Sequence, residues 1–131
     1  MRLLLDTHIA LWAIVDDPRL PSRARALIVD DENTILVSAA SIWEIAIKHA
    51  LARGGPSDMP ISGTQALEHF RAAGYEMLAI TAVHASAVDR LPAHHADPFD
   101  RVLIAQAMTE PARFLTHDAH IAPYGDSVIL V

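Results

Sequence analysis

Short apolar runs recur along the chain with helical segments between them, and this alternation restricts the possible folds more than any other feature. RLLLD (2–6), TILVS (34–38), YEMLAI (75–80), ARFLTH (112–117) and SVILV (127–131) are each five or six residues long. Continuous apolar runs of this length mark strands buried on both faces. THIALWAIV follows the first run at once with helical character. Ser22 is placed to cap RARALIVDD, and AASIWEIAIKHALARGG predicts a helix of about four turns that stops at a glycine pair. GPSDMP (55–60) is the clear loop. Ser62 or Thr64 opens a helix through Ala73 that Gly74 ends, Thr81 caps AVHASAVDRL, and a further helix runs from 98 to about 109. Strands alternating with helices imply a mostly parallel five-stranded sheet with helices on both faces, a three-layer α/β sandwich.

At 131 residues the chain reads as one domain spanning 1–131, with a core to match its 52% hydrophobic content. No apolar run reaches the length of a transmembrane helix, and MRLLLDTH is too short and too acidic for a signal peptide, so no membrane association is expected. The absence of cysteine excludes disulfides, thiolate zinc sites and cysteine nucleophiles, and is compatible with the reducing cytoplasm where the chain is expected to reside. A formal charge of −6 argues against a general binder of polyanions, unless the acids are gathered in one place and neutralised there by metal ions.

HHADPFDRVLIAQA (94–107) raises that exception, because charge crowds the entrance of a run that is apolar on nearly every side. Local capping accounts for much of it. Pro98 suits the first helical position, Asp97 the N-cap and Asp100 the third position, and both carboxylates sit well at the positive end of the helix dipole. A functional reading must therefore come from the acids taken together. In open α/β sheets, sites form beyond the carboxyl ends of strands where strand order reverses. Asp6 ends the first strand, Asp118 follows the fourth, Asp100 opens the helix before the fourth, and Glu44 lies early in the helix after the second.

Each acid also has a local explanation. Asp6 is placed to cap the helix starting THIA, and Asp118 is placed to make a turn. Glu44 stands four residues before Lys48, and Ser41, Glu44 and Lys48 form one polar stripe opposite Ile42, Ile45 and Ala46, as expected of a solvated face. Trp12, Trp43 and Phe70 are expected in the core by default, or else lining a partner groove. Four carboxylates meeting at one edge would instead demand a cation, and oxygen donors without cysteine suit Mg²⁺ or Mn²⁺. Such a cluster clamps a phosphodiester and activates a water against it.

LLLDTHIALW, VSAASIWEIAIK, DPFDRVLIAQA and LTHDAHIAPYG resemble, in this order, the four acidic motifs of PIN domains. The chain is most similar to the short, free-standing VapC-type toxins of bacterial toxin–antitoxin pairs. The resemblance implies a PIN-like sandwich and an Mg²⁺- or Mn²⁺-dependent endoribonuclease whose metal-activated water cleaves RNA. It also implies a homodimer silenced by a cognate antitoxin protein. Asp6 and Asp100 match the principal metal ligands, and Glu44 and Asp118 the supporting acids. Asp97 is kept as the helix cap beside the site, because Asp100 stands at the usual distance from Ala105 and Ala107. Thr7 and Thr116 are candidate supporting hydroxyls, and Arg101 is a candidate phosphate ligand or surface ion pair.

Other readings fit less well. Among eight histidines, His94, His95, His117 and His120 lie near Asp97 and Asp118 and suggest a transition-metal site, but exposed loop histidines are commoner. A ribonuclease-H-like nuclease lacks its opening strand meander here, a haloacid-dehalogenase phosphatase lacks its second Asp because position 8 is His8, and a phosphoreceiver lacks its late lysine because Lys48 is the only one. The rival from another class is a catalytically silent interaction module of the same fold.

Overall fold

β1 (Arg2–Leu5) occupies the centre of the sheet, flanked by β2 (Thr34–Ser38) and β4 (Arg113–Thr116). β3 (Glu76–Leu78) and β5 (Val128–Leu130) form the edges, giving the order β3-β2-β1-β4-β5. Every pairing is parallel, with Leu4 opposite both Leu36 and Phe114. The computed structural model describes residues 1–52, 59–94 and 97–131.

The period of two along a strand sorts the core into two layers. Leu3, Leu5, Ile35, Val37, Leu115 and Ile129 join one buried cluster. Onto it pack α1 (Thr7–Ile14), α2 (Ser22–Val29), α4 (Gly63–Ala72) and Ile45 of α3 (Ala39–Ala50). Leu4, Leu36 and Phe114 face the other way, under α6 (Pro98–Thr109) and Ala87 of α5 (Ala82–Ala87). Both faces are therefore covered, and the expected three-layer sandwich is observed, with the sheet wholly parallel.

Local chemistry sets most helix boundaries as expected. Ser62 and Thr81 both form reciprocal capping boxes. Gly74 takes a φ of +82° just beyond α4, a conformation that a residue with a Cβ resists. Gly63 is set by space instead, since a Cβ there would stand 2.9 Å from the Ala46 Cβ where α4 meets α3. Two helix boundaries need correction. Ser22 is the first residue of α2 rather than its cap, because Pro21 takes the N-cap position with no side-chain bond. α3 ends at Ala50, where the Leu51 N–H folds back onto Ile47 O and His49 O, so the helix stops before the glycine pair. The pair, and residues 55–58 of the expected loop, lie outside the described residues.

Trp43 is 60% exposed and Trp12 half-buried, so of the three expected core aromatics only Phe70 is fully enclosed. The polar stripe on α3 is only partly solvated. Ser41 and Glu44 are buried, whereas Trp43, Ala46 and Ile47 face outward. Lys48 is exposed and Ile45 buried as expected, so each expected stripe is split between core and solvent, and periodicity alone does not settle which residues of the helix are covered.

Candidate active site

Strand order reverses between β1 and β4, and a cleft of about 450 Å³ opens beyond their carboxyl ends. Asp6, Glu44, Asp97, Asp100 and Asp118 all line it. The four acids expected to converge, from segments far apart in sequence, thus share one cavity, and the helix cap Asp97 joins them. Among the described residues, five carboxylates face two fixed cations there, Arg19 and Lys48.

Asp6 follows β1 directly, its N–H bound to Leu115 O of β4 at 2.9 Å. It takes the N-cap position of α1, yet its side chain makes no capping hydrogen bond. The carboxylate instead accepts a bond of 2.6 Å from the Thr116 hydroxyl. Burial pushes the Asp6 carboxyl above its ordinary range, against the opposing pull of the Thr116 bond, the nearby His8 and the Thr7 N–H, and nearby Glu44 pushes the same way as burial. Thr116 also accepts from the Asp118 N–H at 3.0 Å, so one buried hydroxyl fixes two acidic segments. Thr116, a candidate supporting hydroxyl, is thus placed beside both acids. Thr7 is not seen in that role, because its hydroxyl donates to Ser41 Oγ at 2.9 Å and ties α1 to α3.

Glu44 is 4% exposed. Its Oε2 accepts from Lys48 Nζ at 2.7 Å, the expected pair one helical turn apart, but Oε1 is buried with no hydrogen-bond partner. An unsatisfied buried carboxylate oxygen is costly and marks a place where a cation or water is needed. Asp97 accepts from the Phe99 and Asp100 N–H groups and starts α6, which holds Asp100 in its first turn. Phe99 meets Trp43 edge-on, with ring centroids 5.2 Å apart. The residues next to Asp100 and Glu44 thus join α6 to α3. Asp118 Oδ1 accepts from the His120 N–H and ring, so the expected turn is present while the residue still lines the cleft.

Among the described residues, no three His, Asp or Glu groups already stand close enough to hold an ion together. The donor set nonetheless fits a hard divalent cation: oxygen ligands from Asp6, Glu44, Asp100 and Asp118, one of them buried without a partner. Arg101 lies elsewhere. Its guanidinium donates to Val88 O, Pro92 O and the Tyr124 hydroxyl, pinning the segment before α6. His120 pairs with Asp118 and His94 packs on Tyr124, while His95 lies outside the described residues.

Arg19, His8 and Trp12 line the cleft without having been singled out as site residues, and His117, named above only for a transition-metal site, lines it with them. His8 and His117 flank the Trp12 ring at centroid distances of 5.9 and 6.1 Å, and the Arg19 guanidinium lies 5.3 Å from its centroid. His8 and Trp12 are four apart on a helix whose start is legible, the one local signal for this grouping.

A comparison with curated proteins returned no match. Among solved structures, a chain from VapBC2 of Rickettsia felis, bound to a DNA fragment from their promoter, superposes with a TM-score of 0.70. It is 18% identical, and the match covers 100% of this chain and 98% of that one. A chain from FitAcB of Neisseria gonorrhoeae gives a TM-score of 0.56 at 18% identity, covering 90% of this chain and 88% of that one. At such identities the likeness is one of fold. The profile of the PIN domain matches residues 3–126, nearly the whole length, and the chain belongs to the PIN domain family.

Proposed function

We propose that the chain is an endoribonuclease dependent on Mg²⁺ or Mn²⁺ and the toxin of a toxin–antitoxin pair. The observation that carries this reading is the buried, unpartnered Glu44 Oε1 inside a cleft that Asp6, Asp100 and Asp118 also line. Solved structures of similar fold come from the VapBC2 and FitAcB assemblies, which supports a toxin reading and a cognate antitoxin. Exposed Trp43, Ile47 and Leu51 offer apolar surface of the kind that an antitoxin or a second copy covers.

A divalent cation held by these acids supplies positive charge to the scissile phosphate and lowers the pKa of a water. The chain's own groups prepare the ground for that chemistry. Thr116 orients the Asp6 carboxylate and Lys48 holds one oxygen of Glu44. The other oxygen of Glu44 is left to orient the attacking water and accept its proton. Asp97 uses its carboxylate on the helix start, which leaves Asp100 in the first turn as a ligand.

Wild-type protein and Asp100→Asn are compared on total bacterial RNA with Mg²⁺, with Mn²⁺ and with chelator, and cut ends are mapped by sequencing. Discrete cuts that need both metal and Asp100 are expected. Cleavage by folded Asp100→Asn would overturn the assignment, and no cuts by partner-free wild type under either metal would leave the silent interaction module.

A further inference from the structure

A second cavity of about 320 Å³ adjoins the acidic cleft and shares His8, Trp12, Arg19 and Lys48 with it. Among the described residues its remaining lining is largely apolar, from Leu11, Val15 and Met59. Nothing in the metal chemistry requires this space. We infer that it is a nucleobase subsite, which takes the unpaired base next to the scissile phosphate of a single-stranded RNA; this rests on the nuclease reading above.

Three features specify a base rather than another apolar group. The dividing wall is an aromatic–guanidinium pair, Trp12 with Arg19 at 5.3 Å, and bases stack on both kinds of plane. The wall is anchored: Arg19 is held by Asp17 through bonds of 2.7 to 3.2 Å, so its plane is fixed although its side chain is 62% exposed. The charge is also complementary. Arg19 and Lys48 stand on the boundary between the cavities, where a nucleotide with its phosphate in the cleft and its base in the pocket has its sugar and phosphate. An acidic chain that repels polyanions overall gains a local hold on one nucleotide this way. The stack tolerates any base face, so selectivity among bases is expected to be modest.

The test reads Trp12 directly. The chain has two tryptophans, so Trp43→Phe leaves Trp12 as the only indole. Asp100→Asn is added to keep the RNA uncut. Fluorescein-labelled single-stranded octaribonucleotides are titrated in Mg²⁺, and anisotropy reports binding while indole emission reports stacking. An octamer carrying abasic riboses serves as control. Binding with quenching of Trp12 is expected, with the abasic octamer binding roughly 5- to 150-fold more weakly and leaving the emission unchanged. Arg19→Gln is expected to weaken both octamers through the lost charge, and the intact one more because it also loses the stacked guanidinium. Binding by anisotropy with no change in Trp12, or equal affinity for both octamers, would overturn the subsite while sparing the nuclease reading. No binding of any RNA would overturn both.

Discussion

Thr116→Val isolates the link between fold and site, because valine keeps the shape of a side chain that is fully buried and removes only its hydroxyl. Two hydrogen bonds go with it: the donation to Asp6 Oδ2 at 2.6 Å and the acceptance from the Asp118 N–H at 3.0 Å. A hydrogen bond to a charged group is worth about 1.5–3 kcal/mol, and a half-buried N–H left without its partner adds about 1 kcal/mol. The expected loss in chelator is therefore about 2–4 kcal/mol, or roughly 1–2 M in urea midpoint for a domain of this size. Affinity for Mn²⁺, followed by calorimetry, should fall roughly 10- to 100-fold, the usual result of removing a group that orients a metal ligand. Thr116→Ser keeps the hydroxyl and loses one methyl group, which costs about 1 kcal/mol. It should restore the metal affinity without fully restoring the stability. A valine variant that binds Mn²⁺ within twofold of wild type and unfolds with the serine variant would refute the positioning role.

Asp6→Asn tests the cost of burying that carboxylate. Burial raises the folded pKa above the unfolded value, so the folded state binds the extra proton between the two and wild-type stability in chelator falls as pH rises through that window. Asparagine cannot ionise, so the variant should gain on wild type from about pH 4 upward in urea titrations, and lose that advantage once Mg²⁺ binds the wild type. A variant that loses stability relative to wild type over that range in chelator would show that Thr116 outweighs burial. Gly63→Ala should cost about 1–3 kcal/mol in the same titration, because its Cβ would stand 2.9 Å from Ala46 and must push α4 off α3. A neutral result would mean that the two helices yield freely there.

The strands and the start of α6 are legible because their causes are local. TILVS becomes β2 with the same bounds, since a run apolar on every side can only be buried on both faces. Pro98 behind Asp97 marks the α6 start to the residue. Glu44 shows the limit of such reasoning. Its spacing to Lys48 predicts their ion pair, which forms, but the expectation that Ser41 and Glu44 share the solvent with Lys48 fails, because burial along α3 depends on what other elements bring against it. The grouping of Trp12 with His117 is further still from local signals, for these rings meet only because α1 crosses the end of β4, more than a hundred residues later.

Two aspartates at the starts of helices separate structural from functional charge. Asp97 precedes α6 and accepts two N–H bonds from it, which is the whole of what capping asks of a carboxylate. Asp6 holds the same position before α1 but feels only the adjacent Thr7 N–H, with no capping bond further into the helix, and is 8% exposed, turned toward a hydroxyl 110 residues away. Capping would have been available to it at little cost, since an N-cap carboxylate normally stays near water. Desolvation without the capping bond destabilises the metal-free protein, and the nearby Glu44 adds repulsion. Under the proposed nuclease reading, a cation bound there would turn both penalties into attraction. The identical residue in the identical backbone position thus serves the helix in one case and the cleft in the other, and the direction of its hydrogen bonds tells them apart.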